Sequence, residues 1–327
     1  MLSNLFQFQQ TKYRTFIKFF NIKINLKNKV DKSNFDIKEY IEENYKDKYI
    51  DQSFYDNLIR NFSDFGLNNQ HRDKKVIVSL TSFPERINEL KYTIFSLLNQ
   101  SFKPDKILLW LSYDEFPALE RDLPQELLNF KSNGLEIRFC QNLKSYKKLI
   151  FSLKEFSDDI IVTADDDIFY DYNWLKLLYD SYLQDKLSIS CHSAKEIRSF
   201  LGFIFPYETW KKQDSFSKPQ FKNIQLGFGG VLYPPHSLHP SVFDIDLFQN
   251  LAPYGDDIWF WAMALLNNTK IKVVPNYIKY PLYVNIFREL GFNNQITLFR
   301  NFNKTNGNDK QMKKIVKYFN LGKKLYE

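Results

Sequence analysis

Three consecutive carboxylates, Asp165-Asp166-Asp167, follow the apolar run Ile160-Ile161-Val162-Thr163-Ala164. Two carboxylates about 4 Å apart repel by about 4 kcal/mol at an effective dielectric of about 20, so a cluster of this kind needs a cation to stay charged. A hard divalent ion suits it. Mg²⁺ or Mn²⁺ takes one or two carboxylates and completes its shell with water and phosphate oxygens, which makes Asp165 and Asp167 the candidate metal ligands. The competing reading is a solvated acidic turn that caps a helix expected around Asn173–Tyr182. The buried strand directly before the acids favours a functional role.

A second acidic pair, Asp256-Asp257, opens a stretch whose apolar face is Ile258, Trp261, Ala262 and Leu265. One aspartate there is an ordinary helix cap; two are more than capping requires. Asp257 falls on the buried flank, so Asp256 is the better cap and Asp257 the better candidate base, with both kept as catalytic candidates. Gly227-Phe228-Gly229-Gly230 leads into an apolar run, where glycines allow either a tight turn or close backbone approach to a ligand. Gly229 and Gly230 are carried as candidate donor contacts. Of the four histidines, His71, His192, His236 and His239, none has zinc-site spacing. His236 is kept as a possible further metal contact beside its plainer reading as a loop residue. Arg86 and Lys148 are candidate phosphate contacts; either could instead form a surface ion pair, the preferred reading for Lys148.

The elements that must hold these residues are legible from Lys75 onward. Val76–Leu80, Ile107–Leu111, Leu135–Phe139 and Ile160–Ala164 are short Val-, Ile- and Leu-rich runs suited to buried strands. Between them lie two helical faces: Ile87, Leu90, Ile94, Leu97 and Leu98, then Tyr146, Leu149, Ile150, Leu153 and Phe156. Strands and helices alternating in this way predict a mainly parallel sheet covered on both faces, with ligands at the carboxyl ends of its strands. The polar turn Thr81-Ser82-Phe83-Pro84-Glu85-Arg86 and the three aspartates both lie at such ends, so Thr81, Ser82 and Asp166 join the donor-binding candidates.

The composition agrees with a folded enzyme. In 327 residues, 44% are hydrophobic and 17% aromatic, too apolar for a disordered chain. The net charge of +7 is unevenly spread: residues 1–30 and 298–327 each carry +6, leaving −5 between them. That pattern suggests cationic ends at an anionic membrane surface and no nucleic-acid partner. Met312, Ile315, Val316 and Phe319, flanked by Lys313, Lys314 and Lys317, form the stripe of a basic amphipathic helix; a helix docked on the domain is the equal alternative. Cys140 and Cys191 are too few for a disulfide framework and fit a reducing compartment. No stretch approaches the roughly 18–20 apolar residues of a transmembrane helix. A cytoplasmic protein, peripheral on the inner face of the plasma membrane, is the expectation.

Neither a Gly-x-x-x-x-Gly-Lys-Ser/Thr phosphate loop, nor a Gly-x-Gly-x-x-Gly fingerprint, nor a Gly-x-Ser-x-Gly elbow is present. The combination of Val76-Ile77-Val78-Ser79-Leu80-Thr81-Ser82, Ser96-Leu97-Leu98-Asn99-Gln100-Ser101 ahead of Lys106-Ile107-Leu108-Leu109, and the Asp165-Asp166-Asp167 strand end resembles GT-A fold, family-2-like bacterial nucleotide-sugar glycosyltransferases of capsule and lipooligosaccharide biosynthesis. The resemblance runs from about Lys75 to Val274. It implies a doubly wound α/β fold with a mainly parallel mixed sheet, a metal-binding Asp165-x-Asp167 motif, and Asp257 of the Asp256-Asp257 pair as the base of an inverting reaction. Ser112-Tyr113-Asp114 stands where the family often has Asp-Asp-Gly-Ser, and the Gln-x-x-Arg-Trp motif of processive synthases is absent, so one sugar per encounter is expected.

The expectation is an inverting, metal-dependent, non-processive glycosyltransferase. Its partners would be a nucleotide-diphosphate sugar, a UDP-sugar first among them, and a glycan or lipid-linked glycan acceptor. Two alternatives stand beside it: a phosphoryl transferase with Asp165 as nucleophile, and a non-enzymatic membrane-binding protein. Expected domains are a mainly helical extension over 1–74, the catalytic domain over 75–297 and the basic helix over 298–327.

Overall fold

The computed structural model describes residues 6–10, 14–19, 22–27, 36–201, 203–213, 218–275, 278, 282–291 and 307–326. The chain divides into two units, Met1–Tyr49 and Ile50–Glu327. In the first, strands β1 (Phe6–Gln10), β2 (Arg14–Phe19) and β3 (Ile22–Lys27) pair as an antiparallel meander, followed by helix α1 (Ile37–Tyr45). The expected mainly helical extension is thus corrected. Phe6-Gln7-Phe8-Gln9 and Ile22-Lys23-Ile24-Asn25-Leu26-Lys27 alternate apolar and polar residues with period two, the strand period. The boundary also moves: helix α2 (Gln52–Arg60) belongs to the second unit, where the Ile50 N–H donates to the Tyr283 carbonyl at 3.1 Å.

The second unit is built on β4 (Val76–Thr81), α3 (Leu90–Leu98), β5 (Lys106–Ser112), α4 (Gln125–Asn129), β6 (Leu135–Cys140), α5 (Lys147–Glu155), β7 (Ile160–Thr163), β8 (Ile168–Phe169), α6 (Trp174–Gln184) and β9 (Ile189–Cys191). An excursion of short strands follows: β10 (Ala194–Glu196), β11 (Ser199–Phe200), β12 (Phe203–Ile204), β13 (Lys211–Lys212) and β14 (Asn223–Gln225). The chain then adds β15 (Val231–Tyr233), α7 (Ile245–Leu251), α8 (Asp256–Leu266), β16 (Ile271–Val273), β17 (Leu282–Tyr283), α9 (Ile286–Leu290) and α10 (Gly307–Tyr318).

The central sheet has seven strands in the order β16-β9-β15-β7-β4-β5-β6, parallel except where β15 runs against β7 and β9. This is the mixed, mainly parallel, doubly wound α/β sheet that was expected. Alternate residues of each strand face opposite cores. Ile77, Leu108 and Ile161 join Leu149, Ile150, Trp259 and Met312 on one face; Val78, Leu109 and Val162 join Ile94, Leu97 and Leu178 on the other. Covering both faces leaves the strand ends as the open edges.

The chain passes from β4 outward to β5 and β6, then returns to lay β7 on the other side of β4. The crevice beyond the carboxyl ends of β4 and β7 is therefore the topological switch point, where open α/β sheets bind ligands. The turn carrying Ser82 and Arg86 leaves β4 there, and Asp165–Asp167 leave β7 there.

At the C-terminus, α10 packs on α7 and α8, with Met312 and Ile315 buried and Val316 and Phe319 partly buried against the same core. Burying an aliphatic side chain contributes about 1.5–3 kcal/mol. A lysine near an anionic leaflet contributes about 1 kcal/mol, so undocking α10 to reach a membrane is unfavourable. The docked alternative is the one seen. The 297/298 boundary and the basic side chains of residues 1–30 lie outside the described residues. No helix among the described residues is long and apolar enough to cross a membrane.

Candidate active site

Helix α5 starts against the sheet, pinned where the Ser79 hydroxyl of β4 donates to the Lys148 carbonyl at 2.5 Å. That contact aims the Lys148 side chain at the switch point. Its ammonium lies 2.7 Å from Asp165 Oδ1 and 3.2 Å from Asp256 Oδ2, with the side chain only 7% exposed. The surface ion pair preferred for Lys148 is corrected: this is a buried bridge between two acidic motifs far apart in sequence. Burial alone would lower the ammonium's pKa, but Asp165, Asp256 and Asp257 together hold it well above its ordinary value.

Helix α8 begins at Asp256 with Gly255 at the cap position and no side chain closing the end. Asp256 is therefore not the cap; its carboxylate turns to Lys148. Both acids of the pair sit in the first helical turn, where the dipole favours negative charge. The backbone N–H of Gly227 donates to both oxygens of Asp257 at 3.1 Å, and Gln225 Nε2 donates to the Asp257 carbonyl at 3.0 Å. Burial, and then the charge of Asp256, push the Asp257 carboxyl up to about 8. Gly227 lies close against the cluster: a Cβ there would meet Asp257 Oδ1 and Lys148 Nζ at 3.1 Å, so the two side chains would have to give by a few tenths of an ångström.

Arg86 organises the other side of the crevice. One terminal nitrogen of its guanidinium lies 2.6 Å from Asp166 Oδ1 and 2.5 Å from Asp167 Oδ2. The Ser82 hydroxyl donates to Asp166 Oδ2 at 2.6 Å, and the Thr93 hydroxyl to the Asp166 carbonyl at 3.0 Å. Asp166 is thus a structural centre of the turn. The Asp167 carboxyl is raised by burial and by Asp166 and Asp165, against the opposing pull of Arg86. Glu289 of α9 lies beside Asp167; burial and that neighbour push it up to about 7.

The glycine segment walls the site. Tyr170 accepts from the Asp165 N–H at 2.7 Å and donates to the Phe228 carbonyl at 3.4 Å, while Trp174 Nε1 donates to the Gly229 carbonyl at 2.8 Å. Gly230 has φ 89° and lies so close to the Trp174 ring that a Cβ would come within 2.5 Å of it. Gly229 and Gly230 hold the wall in place, and Thr81 spends its hydroxyl on the Trp110 carbonyl at 2.7 Å.

His236 is at the wrong end of the sheet. Because β15 runs antiparallel to β7, the glycines before β15 lie near the carboxyl end of β7 and His236 after it lies near the amino end. There its ring, 70% exposed, pairs with Asp158 at 2.9 Å. It is withdrawn as a metal candidate. Gly227, Gln225, Tyr170 and Glu289 were not foreseen. Gly227 stood in the glycine run already noted, whereas nothing in the sequence marked Glu289.

Among the described residues, Arg86 pairs with Asp166 and Asp167, Lys148 pairs with Asp165 and Asp256, and Arg288 acts with Arg86 on Glu289. No three His, Cys, Asp or Glu side chains form a ready-made metal cage among the described residues. Asp165 and Asp167, the two candidate ligands, are paired with Lys148 and Arg86, so a divalent ion there would take at most these two carboxylates and complete its shell with water and phosphate oxygens.

No family model matches the chain, and no curated protein does. Similar solved structures include the crystal structure of S. aureus TarS 1-349, at 16% identity and TM-score 0.43 over 66% of this chain; the alignment spans 62% of the TarS chain. The crystal structure of 4-diphosphocytidyl-2C-methyl-D-erythritol synthase aligns at 11% identity and TM-score 0.34, covering 53% of this chain and 78% of that one. The inositol-1-phosphate CTP transferase from T. maritima aligns at 13% identity and TM-score 0.36, covering 65% and 91%. Likenesses this distant say nothing about substrate, and the functional reading rests on the site.

Proposed function

We propose that this site transfers a sugar from a nucleotide-diphosphate sugar, a UDP-sugar first among them, to a hydroxyl of a glycan or lipid-linked glycan, inverting the anomeric centre. The observation that carries the reading is the Lys148 bridge. It sets a carboxyl with a raised proton affinity, Asp257, across from the strand-end acids at the switch point of the sheet. Asp165 and Asp167 would hold a divalent ion together with the diphosphate, and that ion would neutralise charge developing on the leaving group. Asp257, oriented by the Gly227 N–H, takes the proton from the acceptor hydroxyl as it attacks the anomeric carbon from the face opposite the leaving group. Lys148 ties Asp165 to Asp256 across the crevice; Arg86 and Ser82 fix the turn that presents Asp167. A phosphoryl transfer centred on Asp165 would leave Asp257 without a role, whereas glycosyl transfer uses both acidic motifs.

Turnover of a nucleotide-sugar panel with and without Mn²⁺ or Mg²⁺ tests the reading, with the product anomer assigned by NMR. Asp165→Asn and Asp257→Asn should each abolish most of the transfer; near-normal transfer by both would sink the assignment.

A further inference from the structure

The excursion between β9 and β15 leaves and re-enters the sheet at the site itself. The Leu226 N–H donates to the Ser193 carbonyl at 2.9 Å, and β14, carrying Gln225, pairs with β10. From this base a two-stranded hairpin, β11 against β12, projects with Ser199 opposite Ile204 and Phe200 opposite Phe203. Leu201 takes φ 46° at its turn. Phe200, Leu201, Phe203 and Phe205 are 63%, 75%, 76% and 43% exposed, four large apolar side chains within six consecutive residues, whereas the other exposed ones, such as Phe65, Leu119 and Leu187, are spread along the chain. Clustered exposed apolar side chains of this kind mark a docking surface.

The charge around the hairpin identifies what docks. Arg198 precedes it and is exposed, as are Lys211 and Lys212 of β13, which pair with β10 so that Lys195 stands opposite Lys212. Lys195, Arg198, Lys211, Lys212, Lys218 and Lys222 outnumber Glu196, Glu208 and Asp214, giving residues 194–222 a net +3 in a central region that is otherwise acidic. An apolar tip with basic side chains at its shoulders is complementary to a bilayer surface bearing anionic headgroups: the tip enters the acyl boundary and the cations meet phosphates. The stripe of α10, the other amphipathic candidate, is buried against α8 and unavailable.

We infer that the Ser199–Phe205 hairpin is an anionic-membrane anchor that presents the adjacent catalytic crevice to acceptors at the bilayer surface. The acceptor part rests on the glycosyl-transfer reading above; the anchor does not. Full-length protein should sediment with vesicles of phosphatidylcholine and phosphatidylglycerol and stay in solution with phosphatidylcholine alone. Lys211→Gln with Lys212→Gln should weaken that binding about thirtyfold. Phe200→Ser with Leu201→Ser and Phe203→Ser should abolish it while leaving nucleotide-sugar hydrolysis in solution unchanged.

Both native cysteines are buried, so Leu201→Cys labelled with a polarity-sensitive dye gives a second readout without disturbing the hairpin core. Its emission should shift to the blue only with anionic vesicles. Binding retained by the triple variant, or an unshifted dye on bound protein, overturns the anchor. So does a wild-type dimer that the triple variant converts to monomer, since a second copy would then cover the hairpin. Hydrolysis without vesicle binding removes the anchor and spares the glycosyltransferase; binding without turnover of any nucleotide sugar does the reverse.

Discussion

The Lys148 and Arg86 clusters each gather three carboxyl groups around one basic side chain, yet they are built for different tasks. Arg86 clamps Asp166 and Asp167, neighbours in one turn, and its third acid, Glu289, arrives from α9. Lys148 joins Asp165 at the end of β7 to Asp256 at the start of α8, and its third acid, Asp257, is held by the N–H of Gly227. Burial, with neighbouring carboxylates, raises Asp257 to about 8 in the one and Glu289 to about 7 in the other, where Asp167 is raised as well. A guanidinium bound within one loop shapes that loop. An ammonium held between two elements ties the start of α8 to the end of β7, and with it the raised carboxyl of Asp257.

The sharpest way to break the contrast is Lys148→Met, which keeps the volume and removes the bridge. Buried carboxylates left without a partner cost about 3–5 kcal/mol, so urea unfolding should show a loss of that size and turnover should fall to background. Adding Asp256→Asn should restore much of the stability without restoring turnover. A fully active, equally stable Lys148→Met would dismiss the bridge.

Asp257→Asn should lower turnover by about 10²–10⁴, the usual contribution of a general base, with stability at neutral pH equal or higher because a disfavoured charge is removed. Arg86→Lys preserves the charge and loses the planar fork, so turnover should fall roughly tenfold with the fold intact. If Arg86→Lys were as damaging as Lys148→Met, the two clusters would not differ in the way described.

The smallest effect is on pH dependence. Asp257 binds its proton more tightly folded than unfolded, so its contribution to stability is complete below the unfolded carboxyl pKa and is lost as pH rises from about 4 through about 8. Differential scanning calorimetry should show Tm declining across that window, with a shallower decline in Asp257→Asn. In the same window kcat/KM of the parent should rise with pH and level off above about 8. Glu289→Gln should leave that limb in place and change turnover less than any other variant, and a shifted limb would make Glu289 the titrating group.

Much of this was readable in advance for definable reasons. Val76–Thr81 and Lys106–Ser112 are buried on both faces, so their apolar runs announce themselves without any partner, and the edge strand Leu135–Cys140 keeps the same pattern although it is only partly buried. The N-terminal strands were missed because Lys and Arg, dispersed on the polar phase of a period-two pattern, were counted as charge and not as alternation. His236 was misplaced because strand direction is invisible in a local window.

Residue types and local periodicity alone settled the strands of the parallel sheet, the pair of acidic motifs and the absence of a phosphate-loop fingerprint, since each is a property of a few neighbouring residues. Which acids face one another, that Lys148 and not a loop cation bridges them, that Gly227 packs tightly against Asp257 and Lys148, and that α10 is docked while the Phe200–Phe203 hairpin is bare were decided by tertiary structure. Each depends on which distant segments share a volume, and a charge or a methyl group acquires its energetic meaning only from what surrounds it there.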